Sequence, residues 1–240
     1  MTQLRYRCPV WVKLALAALV LLGALTALFL ALGRPMPTPE LAAAMAGRSL
    51  LLGDGEVVAQ GPVAGSQGNS DFYRRETRWV LLESGTGHTL CTVERLGPFW
   101  RLRLGPYFTS REAPIWDWNW IVSTNVEYGS GEDPMEEADW MYEQLYLAVT
   151  RNPRVARVEG KACWVPDTVD GQTLTREERE AYLEEHGAIF SLTETAPDSG
   201  VWTGTVATHT PSGGSGLISR VTAYDDRGDV VAQTSSPPLS

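Results

Sequence analysis

The stretch RWVLLESGTGHTLCTVERLGPFWRLRL, Arg78 to Leu104, decides the fold. Three runs rich in Val, Leu, Thr and aromatic residues are separated by Gly85-Thr86-Gly87 and Gly97-Pro98. Such residues turn a chain at low conformational cost, so the spacing predicts an antiparallel meander. Directly downstream, IWDWNWIV (Ile115 to Val122) sets Trp116, Trp118 and Trp120 at alternate positions, with Asp117 and Asn119 between them. The alternation continues through Val122, Thr124 and Val126, the pattern of a strand with one apolar face. Three exposed indoles would form a larger apolar patch than a monomer usually shows, so this face reads as core. The competing reading is a ligand surface on which indole faces stack against sugar rings.

Working outward, EDPMEEADWMYEQLYLAVTRNP predicts an amphipathic helix from Pro134 to Thr150, with Asp133 as N-cap, Pro134 in the first turn and Glu136 at N3. At 100° per residue, Met135, Ala138, Met141, Tyr142, Leu145, Ala148 and Val149 would form the stripe facing the sheet. Trp140 and Leu147 would then lie on the acidic outer face beside Glu136 and Glu143, as an apolar island for a loop or a partner. RVARVEGKACWVP reads as strand, and TREEREAYLEEHG as a short acidic helix with a Thr175/Glu178 capping box and Gly187 at its end. Its five glutamates read as a solvated face rather than an acid-base or metal site. AIFSLTE, GVWTGTVATHT, GLISRVTAYD and DVVAQTS are again strand-like, with Asp226-Arg227-Gly228 turning between the last two. The expected fold class is α+β: a mostly antiparallel β-sheet with one main amphipathic helix and one short acidic helix, preceded by a transmembrane helix.

That membrane segment is the uncharged run Leu14 to Gly33, twenty residues that suffice to cross about 30 Å of hydrocarbon. Arg5, Arg7 and Lys13 precede it and only Arg34 follows closely, which favours a cytoplasmic N-terminus and an external C-terminal part. A cleaved signal peptide is the rival, since Ala31-Leu32-Gly33 resembles a small-x-small site, but the run is long and Arg34-Pro35 follows it. The expected divisions are a cytoplasmic segment (1–13), the membrane helix (14–33), a Pro-rich spacer (34–49), a β-meander subdomain (50–131), a helix plus β subdomain (132–235) and a tail (236–240).

The chain has 240 residues and a net charge of −9. Four of its twenty cations lie at or before Arg34, and all 29 acids lie at or beyond Glu40. The exported part therefore carries a net charge of −13, which argues against nucleic acid or anionic headgroups as its partners. Cys91 and Cys163 stand in strand-like segments beyond the membrane run; they either pair in an oxidising compartment or remain two separate buried thiols. His88, His186 and His209 have no close ligand spacing, so the sequence calls for no metal or cofactor.

The N-terminal anchor, the meander RWVLLES-GTG-HTLCTVER-LGPFWRLRL, the segment NPRVARVEG and the closing ISRVTAYDDRGDVV together resemble single-pass membrane-anchored extracytoplasmic proteins of Gram-positive bacteria. The resemblance implies location and architecture and supplies no active-site residue. The sequence holds no Gly-x-Ser-x-Gly elbow, HExxH helix or Walker A loop. The expected function is an extracytoplasmic binding or accessory domain engaging an envelope protein. Glycan binding through the tryptophans and a carboxylate-based envelope hydrolase are the alternatives.

Overall fold

The computed structural model describes residues 9–49, 55–63, 76–110, 112–127, 139–166, 174–211 and 214–234. Helix α1 (Val10–Ala31) has 22 residues, none of them buried. At 1.5 Å per residue it is about 33 Å long, and it is long and apolar enough to cross a membrane. It starts and ends a few residues earlier than the apolar run alone suggests.

The segment after it is not a spacer. Met36 exchanges both backbone hydrogen bonds with Trp100 at 2.7 Å. Pro39–Ser49 forms a second helix, α2, which buries Ala42, Ala43 and Ala46. The reason is composition: the small face of LAAAMAG lets a helix approach a sheet closely, and it packs on Val80, Leu82, Cys91, Val93 and Trp100.

Those residues belong to the first of two antiparallel sheets, ordered β1 (Glu56–Pro62), β2 (Thr77–Glu83), β3 (Gly87–Leu96) and β4 (Phe99–Ser110). The three meander strands and both turns stand where the sequence places them. The second sheet has seven strands, ordered β11-β10-β7-β8-β9-β6-β5. Its members are β5 (Trp116–Glu127), β6 (Asp139–Val149), β7 (Arg157–Pro166), β8 (Ala188–Glu194), β9 (Val201–Pro211), β10 (Gly214–Tyr224) and β11 (Val230–Gln233). All pairings in both sheets are antiparallel, so the α+β antiparallel class holds.

Strand β6 corrects the expected main helix. Met, Glu, Gln, Leu and Ala favour a helix over other residues by less than about 1 kcal/mol each. In this fold every residue from Asp139 to Val149 is instead laddered to β9 on one edge and to β5 on the other. Two full ladders and burial on both faces outweigh that local preference. With a period of two rather than 3.6, Leu145, Leu147 and Val149 point one way and Gln144, Tyr146 and Ala148 the other, all of them buried. The expected N-cap residues Asp133, Pro134 and Glu136 fall outside the described residues.

The first set packs against the meander. Leu145, Leu147, Val149 and Trp120 join Trp79, Leu81, Leu90 and Val201 in one cluster, with Trp116 and Trp118 half-buried at its margin. The second set lines a concave face, because the seven-stranded sheet curls until Ala232 of β11 and Ile115, which leads into β5 at the other end of the order, share one core cluster with Tyr146 and Ala148. Helix α3 (Arg176–His186) covers the outer face of β7 and β10 through Leu183, Cys163, Val165 and Ile218. Its capping box forms as expected, and Gly187 ends it. Two of its glutamates pair with cations of the sheet: Glu184 binds Lys161 at 2.6 Å, and Arg220 binds both Glu180 at 2.9 Å and Glu184.

Candidate functional site

Where the two sheets meet at the β2–β3 turn, the chain leaves an open cleft of about 420 Å³. Three connections build it. Glu83 and His88 are cross-strand partners on either side of the hairpin turn, which Ser84 N–H closes onto Gly87 O at 2.8 Å. From the end of β6 come Thr150, Arg151 and Asn152. Thr150 Oγ1 donates to Pro114 O at 2.9 Å, and Asn152 Oδ1 accepts from Arg154 N–H at 3.1 Å. From the β8–β9 connection come Glu194, Asp198 and Ser199, with Val58 of β1 and Trp202 of β9 completing the wall.

Backbone packing fixes the floor. Thr150 N–H donates to Gly200 O at 2.9 Å, and Glu194 Oε1 accepts from Gly200 N–H at 2.8 Å. Gly200 has φ +65°, and a Cβ there would stand 2.2 Å from Thr150 O, so glycine is the residue this crossing accommodates. Asp198, at φ 58°, takes the same left-handed conformation, which Asp tolerates better than most residues.

The lining carries three carboxylates, Glu83, Glu194 and Asp198, against the single guanidinium of Arg151. Arg151 is already ion-paired to Glu83. His88 is 5% exposed, with its ring 6.2 Å from that of Trp116. Such a recess has the size of a small-ligand site and a negative potential, which suits a polar group bearing positive charge.

The residues singled out from sequence are distributed differently. Trp120 is 6% exposed and its Nε1–H donates to Thr92 Oγ1 at 3.2 Å. Trp118 lies on Tyr107 with ring centroids 3.9 Å apart. The three indoles thus act together as the seam between the sheets, and of them Trp116 comes nearest the cleft. The alternation read through to Val126 is interrupted, because the register shifts between Ile121 and Ser123.

The island of Trp140 and Leu147 is corrected. Seven residues apart on a strand, they face opposite ways. Leu147 is fully buried, while Trp140 stacks on Tyr142, which in turn meets Trp164 at 4.4 Å. Cys91 and Cys163 are free thiols in two different clusters, one under α2 and the other under α3. Burial raises them to about 12 and about 11.

Sequence reasoning missed Glu83, His88, Arg151, Glu194 and Asp198 as a set. They come from three separate connections, and only the turn signals at Gly85-Thr86-Gly87, Asn152-Pro153 and Pro197-Asp198-Ser199-Gly200 marked the places. On the concave face, burial raises the Asp117 carboxyl above its usual range, with Thr234 opposing. Tyr146, fully buried, reaches Gln144 Oε1 at 3.4 Å and also bonds to Ser219. Comparison with family models, curated proteins and solved structures finds no match to this chain, so the functional reading rests on this geometry.

Proposed function

We propose that this chain is a membrane-anchored extracytoplasmic binding domain of a Gram-positive type of envelope, held by α1 with its N-terminus in the cytoplasm, and that its cleft receives a cation-bearing segment of an envelope protein. The charge flanks of α1 support the orientation. The observation that carries the binding reading is the lining of the cleft, three carboxylates and one guanidinium that is already paired. A cationic side chain or terminus entering it meets net negative charge, because three carboxylates face one guanidinium.

The test is crosslinking in cells with a photoreactive residue at Asp198, using exposed Ile189 on β8 as the control position. One protein is captured from 198 and not from 189. Glu83→Gln combined with Glu194→Gln, which removes two charges while keeping shape and an acceptor for Gly200 N–H, abolishes that product without changing the melting temperature. Equal capture from both positions, or capture indifferent to the double substitution, contradicts the reading.

A further inference from the structure

A second hollow of about 290 Å³ lies between the end of α1 and the α2–β4 layer. Leu30, Ala42, Met45, Ala46 and Leu102 make its lining apolar, and Arg34 stands at its rim. Leu30 belongs to the last turn of α1, so the hollow begins where the apolar helix ends. The two are held together closely: Gly33 and Arg34 both take positive φ, 76° and 56°, and Met36 is pinned to Trp100 two residues later. Arg34 is exposed and has no ion pair among the described residues, whereas its neighbour Arg101 is held by Glu94 through an Nε–Oε1 bond of 2.7 Å.

We infer that this hollow binds one glycerophospholipid of the membrane that α1 spans, with an acyl chain along the apolar lining and the phosphate on Arg34. The inference rests on the reading of α1 as a membrane span. Three observations carry it. The recess is continuous with the helix that would sit in lipid. An apolar lining at that depth offers an acyl chain the environment it already occupies. The free guanidinium lies just past the span, at headgroup level, where it matches phosphate in charge and fork geometry. The net charge of −13 on the exported part does not oppose this, because none of the described residues that line the hollow is acidic and a direct contact outweighs charge screened by solvent.

The experiment uses the full chain in phosphatidylcholine nanodiscs doped with a phosphatidylcholine whose acyl chain bears a diazirine, with labelled peptides mapped by mass spectrometry. Labelling is expected within 42–46 and at Leu102. It should fall about tenfold in Arg34→Gln, the loss of one charge-assisted phosphate contact. Met45→Trp, which fills the hollow from a half-buried position, should remove it with unchanged melting temperature. Labels confined to α1, or equal labelling in both variants, overturn the inference. Loss of labelling on adding inorganic phosphate assigns the rim to free phosphate and overturns the lipid as occupant. Carbonate extraction of the chain from cell membranes checks the span separately: release there refutes the membrane reading itself.

Discussion

The two recesses of the domain differ in how they are made. The acid-lined cleft lies on the face of the meander that meets the seven-stranded sheet, and it is assembled from three chain turns, two of them joined by the Thr150 N–H to Gly200 O bond and the third by the Arg151–Glu83 ion pair. The hollow beside α1 lies on the opposite face and is made by a small-residue helix packed on the sheet. One is polar, fixed by backbone geometry and built around charge. The other is apolar and depends on side-chain volume. A single four-stranded sheet thus separates a surface suited to an ionic ligand from one suited to hydrocarbon.

That separation depends on β6 being a strand with two faces, and the largest expected effect tests it. Leu147→Glu places a charge where the side chain has no exposure, and it should abolish the cooperative thermal transition followed by circular dichroism. Trp140→Glu, on the half-exposed end of the other face, should leave that transition in place. If β6 were the helix suggested by its composition, both substitutions would be tolerated alike.

Next in size, Trp120→Ala should cost about 3–5 kcal/mol in denaturant unfolding, because it opens a cavity in the inter-sheet seam and leaves Thr92 without its indole donor. Trp118→Ala, half-buried on Tyr107, should cost less. Equal values would mean that the seam does not deepen toward Trp120.

The legible and illegible parts of the molecule divide along the same line. Strands β2, β3 and β4 could be read because their turns are written locally in Gly and Pro, and the α3 capping box because it needs only Thr175 and Glu178. Strand β6 could not, since its conformation is set by β5 and β9, and β9 lies some sixty residues away in sequence. Helix α2 was hidden by its prolines, although Pro39 merely occupies the first helical position, where no N–H is needed. The cleft was illegible for a third reason: its acids are single residues in separate connections, and no spacing relates them.

A smaller effect sharpens the view of the cleft as backbone-built. Gly200→Ala should cost about 1–3 kcal/mol through its left-handed φ and the clash with Thr150 O, and should weaken capture at the cleft while leaving lipid labelling at Met45 unchanged. Loss of both activities would show that the recesses are not independent.

The smallest effect concerns the concave face. The Asp117 carboxyl is raised above 3.8 by burial. Below that pH it is protonated folded and unfolded alike, and as pH rises toward its folded value the unfolded chain ionises first, so stability falls. Asp117→Asn should therefore flatten the decline of melting temperature with pH above about 4. A mutant whose profile parallels the parent's would place Asp117 in water.

The most direct test of the account sets the two recesses against each other in the same cells, with the same photoreactive residue, an aliphatic diazirine no bulkier than methionine so that the hollow stays open, introduced singly at Asp198 and at Met45 of the full chain. The account predicts a protein adduct from position 198, sensitive to Glu83→Gln, and a phospholipid adduct from position 45, sensitive to Arg34→Gln. Lipid captured at 198, or the same protein captured at both positions, would contradict the assignment of one face to the membrane and the other to a partner.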